Sequence, residues 1–566
     1  MLIRNARIID GTGAPARTGS VLIRDGKIEA LDAEPPAGAR IVDASGLTLL
    51  PGLFDLHTHL SASAVRGVSG DWGKNLKAYL AAGVTTVNDY ATYSEMFAPL
   101  KQLLNSGVTP GPHVNMAVRM SSTGGHGTEA GWGDFMTIEA NTPAQAHARM
   151  KDVIAAHPDV IKVFNDGWRY GTEPDLTSMN LETLAAIVED AHAAGIKVVT
   201  HTVTLRGAKI ASRAGVDILV HGIGDAAVDA ELIEIMKVKG TSYVPTLAVY
   251  EFKPGPQAAT PSPERRTRWA FLTDNVRKLF EAGIPVAVGT DAGMPSTFHG
   301  SATLHEFELL VQSGLKPMDA IRAGTSLSAR AMGLDAQRGT IAAGKAADLI
   351  LVEGRPDERI ADLSKTRRVF LAGVEYDPRE VQASVESKDL TPLPVRAVAE
   401  LVDDMERADG RTRLGTLRVN GTDAGIDHSP MLFHRIQRSG SDHALLVQAT
   451  MADKERPNVR VEFPLTPGAI EPADLSGYAG VQLEIRGEAD CRLVVNAYAN
   501  RTIADPWVAK LPVSNEWRTV RVPFSDLQRR AGGVWEARDA RALMVELGGS
   551  PRSGVWLEID NVRLYR

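Results

Sequence analysis

The chain has 566 residues, of which 44% are hydrophobic and 23% charged, a composition typical of a globular enzyme. Its net charge of −7 includes no basic block, which argues against a nucleic-acid partner. The single cysteine, Cys491, excludes an intramolecular disulfide and a zinc–thiolate cluster, so any metal must be held by nitrogen and oxygen ligands.

The N-terminal residues predict neither a secretory signal nor a membrane anchor. Met1 to Asn5 leads directly into a strand pattern, without an apolar core or a small-residue cleavage site. No apolar run in the chain approaches the roughly 20 residues that are needed to span a bilayer. We therefore expect a cytoplasmic protein as the chain stands, and a periplasmic or secreted one if a leader has been removed.

Short β-rich runs separated by Asp-Gly turns fill the first part of the chain, up to about residue 50. A sheet this small cannot bury both of its faces, and runs of the same kind recur at Ala347 to Val352 and Arg368 to Val374. We predict a composite β-sandwich made of residues 1–52 and 340–388, interrupted by a larger domain.

Residues 53–339 repeat a strand pattern followed by a helix pattern. One of the helices is predicted over Asn180 to Ala194, with apolar residues at amphipathic spacing and a stop at Gly195. Such a repeat predicts an α/β fold, a (β/α)8 TIM barrel with its active site at the carboxyl ends of the strands. The eight strand candidates are Leu49 to Leu56, Thr85 to Asp89, His113 to Arg119, Val160 to Phe164, Lys197 to His201, Ile218 to His221, Ser242 to Val249 and Pro285 to Thr290.

The pattern changes after the Pro-rich stretch Thr391 to Pro394, a plausible linker. Residues 398–566 alternate apolar and polar residues in short strands with no helices between them, which predicts an appended all-β domain. The strand candidates are Ala444 to Ala449, Val459 to Phe463, Gly480 to Ile485, Cys491 to Ala497, Thr519 to Val522, Leu543 to Leu547 and Val555 to Val562.

Two histidines two residues apart, His57 and His59, follow the first apolar barrel strand. Because residues i and i+2 of a strand point to the same face, both imidazoles can bind one ion. The pair is weak evidence by itself, since such spacing also occurs at surfaces and in satisfied cores.

Other polar residues occur within or at the ends of later strands: Lys162, His201, His221 and Asp291. A strand-end His or Asp is commonly a capping group, and a lysine can extend from an edge to solvent. A lysine pointing into a closed barrel is harder to explain, because an unpaired buried ammonium is costly.

One arrangement removes this cost. Reaction of Lys162 with carbon dioxide gives a carbamate, an N6-carboxylated lysine that can bridge two divalent metal ions. In this arrangement His57, His59 and Asp291 hold one ion, and His201 and His221 hold the other. Zn suits such ligands best, and Mn, Co or Ni are the alternatives.

Residues 1 to about 385 resemble the amidohydrolase superfamily. This resemblance implies a metal-binding barrel flanked by a β-sandwich whose two parts come from either side of the barrel in sequence. The resemblance is closest to the prolidase and Xaa-amino-acid dipeptidase branch, although the strand-five His201 is followed by Thr202 where some of those relatives have tyrosine. The motifs that carry it are Pro51-Gly52-Leu53-Phe54-Asp55-Leu56-His57-Thr58-His59, Lys162, His201, His221, Gly124-Gly125-His126-Gly127, Val244-Pro245-Thr246-Leu247, Gly289-Thr290-Asp291 and the closing segment from Gly339 to Leu349.

The resemblance implies a binuclear metal-dependent hydrolase that cleaves the amide bond of a small peptide or an N-acyl amino acid. Metal-bound hydroxide would attack, and Asp291 would act as general base. His126 is a candidate for catalysis or substrate binding, or else a loop residue that orders its turn, and Tyr250 is a further candidate for substrate binding. The alternatives are a cyclic-amide, lactone or carbamate hydrolase with the same centre, or a non-catalytic scaffold or sugar-binding protein.

The C-terminal region resembles a galactose-binding-like jelly roll. Its motifs include Asp403 to Glu406, Asp474 to Tyr478, Trp517 to Phe524 and Ile559 to Val562. The resemblance implies carbohydrate as a candidate partner, with Trp507 and Trp535 as a stacking platform, but packing or subunit contact is the favoured role for these rings. We expect a homo-oligomer.

Overall fold

The computed structural model describes residues 1–60, 71–129, 135–167, 176–254, 259–423, 425, 427–498 and 505–566. These residues form two compact units. The first contains Met1–Thr92, Pro110–Ser122 and Ala140–Leu390, and the second contains Tyr93–Thr109, Thr123–Glu139 and Thr391–Arg566. Within the described part of the chain, every helix is too short or too polar to cross a membrane.

Strands and helices are both present up to residue 390. The strands are β1 (Leu2–Ile8), β2 (Arg17–Arg24), β3 (Lys27–Leu31), β4 (Ile41–Asp43), β5 (Leu47–Pro51), β6 (Leu53–Thr58), β7 (Val84–Asp89), β8 (His113–Ser121), β9 (Ile138–Glu139), β10 (Val160–Phe164), β11 (Lys197–His201), β12 (Ile218–Val220), β13 (Ser242–Val244), β14 (Leu349–Glu353), β15 (Thr366–Leu371) and β16 (Val374–Tyr376). The helices are α1 (Trp72–Ala81), α2 (Ser94–Ser106), α3 (Pro143–Ala155), α4 (Leu181–Ala193), α5 (Leu205–Ala214), α6 (Ala230–Lys239), α7 (Leu247–Tyr250), α8 (Pro263–Glu281), α9 (Ser301–Gln312), α10 (Pro317–Arg322), α11 (Ser328–Ala331) and α12 (Pro378–Glu386).

A composite sheet joins the two ends of the first unit. Its strand order is β16-β15-β14-β5-β1-β2-β3, with β4 beside β1. The junction is the antiparallel pair of β14 and β5, in which Ile350 lies opposite Leu50. Buried side chains such as Ile3, Leu49 and Phe370 share one hydrophobic cluster. The chain therefore leaves this sheet, builds the barrel and returns, as predicted.

The barrel is a parallel sheet in the order β6-β7-β8-β10-β11-β12-β13. Every residue of β7 and β10 is buried, which explains why these strands are continuously apolar or neutral in sequence apart from special positions such as Lys162. The segment after α8 closes the barrel: Val286 bridges Tyr243 of β13, and the Leu56 amide of β6 donates to the Val288 carbonyl at 2.8 Å. The (β/α)8 architecture is confirmed.

The predicted helix after β10 is also confirmed, as α4. The Asn180 side chain accepts a hydrogen bond from the Thr183 amide at 2.8 Å and caps the first turn. Gly195 follows the last turn with a φ of 73°, a left-handed conformation that favours glycine.

Three of the predicted barrel strands differ from the structure. The run from Leu49 to Leu56 divides into β5 of the composite sheet and β6 of the barrel. The run predicted over Pro285 to Thr290 makes an isolated bridge and single hydrogen bonds instead of a regular ladder.

The third predicted strand, Ser242 to Val249, ends at Val244 and continues into the short helix α7. Thr246 has a left-handed φ of 47°, which ends the extended conformation. The buried Glu306 carboxylate of α9 then accepts hydrogen bonds from the Leu247 and Ala248 amides at 2.8 and 2.7 Å. A tertiary contact therefore decides the helix, against an apolar run that favours a strand.

The second unit contains two β-sheets. Its strands after residue 390 are β17 (Arg396–Ala397), β18 (Leu401–Asp403), β19 (Val419–Thr422), β20 (Met431–Ser439), β21 (Asp442–Thr450), β22 (Asn458–Pro464), β23 (Ala473–Asp474), β24 (Gly480–Glu488), β25 (Asp490–Ala497), β26 (Trp507–Leu511), β27 (Arg518–Pro523), β28 (Ala540–Gly548) and β29 (Gly554–Tyr565). One sheet centres on β28 and the other on β29. Each strand candidate from the sequence lies within one of these strands, so the all-β character is confirmed.

Residues inside the predicted barrel range also belong to this second unit. Helix α2 contributes Glu95, whose carboxylate pairs with Arg411 at 2.6 Å. The domain boundaries at residues 52, 339 and 398 stay predictions.

The two tryptophans proposed as a sugar platform pack against each other. Trp507 is only 5% exposed, and its ring meets that of Trp535 edge to face at 5.7 Å. Trp535 also contacts Phe524, at 5.4 Å between ring centroids. This arrangement agrees with the favoured packing role, and carbohydrate binding stays a prediction without support from these rings.

Candidate metal centre

The carboxyl ends of the barrel strands carry a cluster of histidines around Asp291. His57 lies near the end of β6 and is 1% exposed, and His59 follows that strand. The Nε2 atoms of His57 and His59 lie 3.2 and 2.8 Å from the same oxygen of Asp291, Oδ1. The pair of imidazoles therefore converges on one carboxylate.

Two further histidines complete the cluster. His201 ends β11 and His221 follows β12, and their rings lie 4.3 Å apart. The His221 ring is also 4.6 Å from the His57 ring. Ligand atoms of His57, His221 and Asp291 all lie within 4.8 Å of one another. These three residues could therefore contact one ion together. His59 contacts Asp291 of this group, and the ring of His201 lies beside that of His221.

The backbone around the cluster is held in uncommon conformations. His221 and Asp291 have positive φ values of 79° and 62°, which non-glycine residues rarely adopt. A Cβ atom at Gly289 would come within 3.1 Å of the His57 backbone nitrogen and 2.5 Å of Val244. Strain of this kind costs of order 1–3 kcal/mol per residue and is typical of functional sites. Glycine at position 289 permits the close approach that brings Asp291 to the histidines.

Lys162 lies on β10 with 1% of its surface exposed. Its Nζ atom lies 4.7 Å from the ring centroid of Tyr90 and 5.6 Å from that of Phe164. None of the described residues hydrogen-bonds to this atom. Burial holds the pKa of Lys162 well below its usual range, and Arg119 adds to the effect although Asp291 opposes it. Burial therefore favours the neutral amine over the ammonium form of this side chain.

The electrostatic state of the cluster suits metal binding. Burial lowers the pKa of His57 to about 3, with a contribution from Lys162, so its imidazole is neutral. Although burial raises the pKa of Asp291, its contacts with His57 and His59 outweigh that effect and hold the value well below the usual range. The centre therefore presents the neutral His57 imidazole beside an ionised carboxylate.

Asp55 supports this geometry and was missed as a functional residue in the sequence. Its carboxylate accepts hydrogen bonds from the His57 amide at 3.2 Å and the Thr290 amide at 3.1 Å. It also accepts from the hydroxyls of Thr290 and Thr303, both at 2.7 Å. Burial raises the pKa of Asp55 to about 6 against the effect of these donors. The signal available in the sequence was a carboxylate within the apolar strand Leu53 to Leu56.

We predict that Asp55→Asn lowers metal affinity by about 10- to 100-fold, the usual cost of losing an outer hydrogen-bond partner of a metal site. The asparagine Oδ1 atom can still accept from the His57 and Thr290 amides, but an NH2 group replaces the oxygen that accepts from the Thr290 and Thr303 hydroxyls, so that side of the carboxylate loses its charge and its two bonds. Competition with a chelator measures the affinity. Thr303→Val, which removes one of the four bonds, should give a smaller loss, and unchanged affinity in Asp55→Asn would contradict the positioning role.

The two predicted substrate residues have different surroundings. The Tyr250 ring of α7 lies edge-on to the His221 ring, with 5.9 Å between centroids. His126 belongs to the second compact unit, where its Nδ1 atom pairs with the Glu129 carboxylate, and Glu129 also accepts from the Gly127 amide. That pairing orders the glycine-rich turn, and a role for His126 toward substrate stays a prediction.

The residues present fit a divalent metal ion. Imidazole and carboxylate are ligands that Zn and similar ions accept, and they converge here at the open end of a barrel. Two buried nitrogen atoms, His57 Nδ1 and Lys162 Nζ, lack a hydrogen-bond partner among the described residues. Leaving buried polar atoms unsatisfied costs about 1–3 kcal/mol each, which a ligand would relieve.

Comparison with known proteins agrees with this geometry. The profile of the Amidohydrolase family matches residues 48–375, more than half of the chain. The chain belongs to the amidohydrolase family. It is a hydrolase with the TIM-barrel fold of that family, and the additional β-sheets of residues 391–566 lie outside the matched range.

Two named proteins and one solved structure illustrate what this amidohydrolase is similar to. It is 26% identical to ochratoxinase of Aspergillus niger over 413 residues, which cover 64% of this chain and 83% of that protein. It is 25% identical to 5-methylthioadenosine/S-adenosylhomocysteine deaminase of Moorella thermoacetica over 385 residues, covering 63% and 86%. A solved Xaa-Pro dipeptidase with bound methionine superposes with a TM-score of 0.58 and 27% identity, covering 66% of this chain and 99% of that one.

Proposed function

We propose that this amidohydrolase uses a binuclear metal centre to cleave the amide bond of a small peptide or an N-acyl amino acid. The observation that carries the proposal is the convergence of His57, His221 and Asp291 beside the buried Lys162. A buried lysine with no hydrogen-bond partner among the described residues is a costly feature for a barrel that serves only as a scaffold.

The proposed ligands divide between two ions. His57, His59 and Asp291 would hold one ion, His201 and His221 the other, and N6-carboxylated Lys162 would bridge them. Carboxylation requires an unprotonated amine, and the lowered pKa of Lys162 favours that form. When bound, such ions polarise a substrate carbonyl and lower the pKa of water to about 7.

Asp291 is the proposed general base. Its low pKa keeps it ionised, so it can accept a proton from the attacking water and deliver that proton to the leaving amine. Its Oδ1 atom is held by His57 and His59, which fixes the direction of the carboxylate. His221 is fixed in turn by Thr246, whose hydroxyl lies 3.0 Å from Nδ1.

The relatives support amide substrates. A Xaa-Pro dipeptidase is among the similar structures, which favours a bond to an amino-acid nitrogen. The deaminase relative is less informative, because family deaminases typically work with one metal ion and without the lysine of the fourth strand. Binding of Zn, and not Mn, Co or Ni, is the preferred proposal for this ligand set.

Metal analysis combined with a substrate panel tests the proposal. We expect about two metal ions per chain, the stoichiometry of a two-metal hydrolytic site. The panel consists of dipeptides and N-acyl amino acids, with cyclic amides, lactones and carbamates as the alternative classes. Hydrolysis confined to the alternative classes would replace the proposed substrate, and a metal-free protein that hydrolyses none of them would contradict an enzymatic role for the centre.

A further inference from the structure

A cavity of about 240 Å³ lies between α7 and α8 in the first compact unit. The described residues that line it are Val249, Tyr250, Arg265, Arg268, Trp269 and Leu272. Both of the charged residues among them are arginines. The cavity thus combines two cationic side chains with two large aromatic rings.

Two contacts place this cavity beside the histidine cluster. Tyr250 is both a lining residue and the residue whose ring lies edge-on to the His221 ring, at 5.9 Å. Leu272, a buried lining residue, packs so closely on Gly222 that a Cβ atom there would lie 2.1 Å from its Cδ2 atom. Because Gly222 directly follows His221, the cavity and the proposed second metal site share a wall.

The arginines are held on a rigid element. Arg265 and Arg268 are three residues apart on the 19-residue helix α8 and therefore lie on one face of it. The Arg265 guanidinium also lies over the Phe252 ring, 5.2 Å from its centroid, which limits its freedom. Guanidinium groups suit carboxylates, because their donors match the two oxygens.

We infer that this cavity receives the carboxylate-bearing end of the substrate. This inference rests on the proposed function. The substrate class is then narrowed to N-acyl amino acids and dipeptides whose last residue is apolar or aromatic and carries a free carboxylate. Arg265 and Arg268 bind the carboxylate, while Tyr250 and Trp269 contact the side chain. The scissile amide then lies toward His221, and the departing amino acid occupies the cavity.

Calorimetric binding of phenylacetate and of its neutral analogue phenylacetamide to the metal-loaded protein tests the inference without requiring turnover. We expect phenylacetate to bind more tightly than phenylacetamide. The double variant Arg265→Gln/Arg268→Gln should weaken phenylacetate binding by about 10- to 100-fold and leave phenylacetamide binding and metal content unchanged. Arg266→Gln is the matched control, because Arg266 lies on the same helix outside the cavity lining and donates to the Pro261 carbonyl.

Phenylacetate affinity that is equal in the wild type and the double variant would overturn the inference, since the acid would then bind elsewhere, for example at a metal ion. Absence of phenylacetate binding would overturn it too. Steady-state kinetics distinguish a failure of the cavity assignment from a failure of the proposed function. With N-acetylphenylalanine and its carboxamide as substrates, we expect the double variant to raise KM for the acid alone and to change kcat little.

The combinations of outcomes are distinct. If the wild type hydrolyses amides but the preference for the acid survives in the double variant, the cavity assignment is wrong and the proposed function stands. If the wild type hydrolyses no amide yet binds phenylacetate through the arginines, the proposed function fails and the cavity remains a carboxylate site.

Discussion

Replacing Lys162 with alanine is expected to remove most of the bound metal and nearly all hydrolytic activity. The side chain is buried beside the histidine cluster and burial holds its pKa well below the usual range, so its carboxylated form is the proposed bridge between the ions. Loss of a bridging ligand should cost more than the roughly 10- to 100-fold that follows loss of an outer hydrogen-bond partner. Metal content per chain and kcat/KM on the best substrate measure the effect.

Short carboxylates should partly restore the Lys162→Ala variant. Acetate or propionate fits the space left by the lysine and supplies the two oxygens that the carbamate would have supplied. Wild-type protein grown with carbon-13 bicarbonate should also show a carbamate carbonyl signal that the variant lacks. Lys197→Ala is the matched control, because Lys197 lies at the start of β11 and pairs with Asp217.

Two results would contradict the bridging role of Lys162 or its interpretation. Full metal content and full activity in Lys162→Ala would show that the lysine is not a ligand. Loss of activity in Lys197→Ala to the same degree would show that removal of a strand lysine perturbs the barrel generally.

Asp291→Asn is expected to lower kcat by about 100- to 10,000-fold, the usual contribution of a general base. Asparagine retains an oxygen that can accept from His57 and His59 but loses the charge and the capacity to take a proton. KM should change much less than kcat, because the substrate contacts inferred above involve other residues. Steady-state kinetics at saturating metal concentration give both values.

A buried carboxylate elsewhere in the first unit provides the control. Asp348, 5% exposed, accepts a hydrogen bond from the Ala372 amide at 2.8 Å in the composite-sheet region. Asp348→Asn should lower the melting temperature without a selective loss of kcat. If Asp291→Asn retains its metal ions and keeps kcat within tenfold of the wild type, Asp291 is not the general base.

Much of the fold could be predicted from local patterns. Periodicity identified α4 with its cap at Asn180 and its stop at Gly195, because capping and amphipathic spacing act within a few residues. Seven of the β-domain strands after residue 440 were found by alternation of apolar and polar residues, while the short strands β23 and β26 were missed. The candidate ligands were also visible, since polar residues at the ends of buried strands stand out against an apolar background.

Other features depended on contacts between distant residues. Helix α7 exists where the sequence favours a strand, because Glu306, about 60 residues later, accepts from its first amides. The grouping of residues 93–109 and 123–139 with the C-terminal strands had no local signal either, since pairs such as Glu95 and Arg411 are more than 300 residues apart.

The amino-acid sequence by itself thus determined the strand and helix repeat, the all-β C-terminal region and the residue types of a metal centre. Only the tertiary structure decided that Asp55 links His57 to Thr290, that Lys162 faces Tyr90, and that two arginines of α8 line a cavity beside His221. The physical reason is that secondary structure follows from interactions between near neighbours along the chain. Burial, pKa shifts and cavities arise from groups that only the closed barrel brings together.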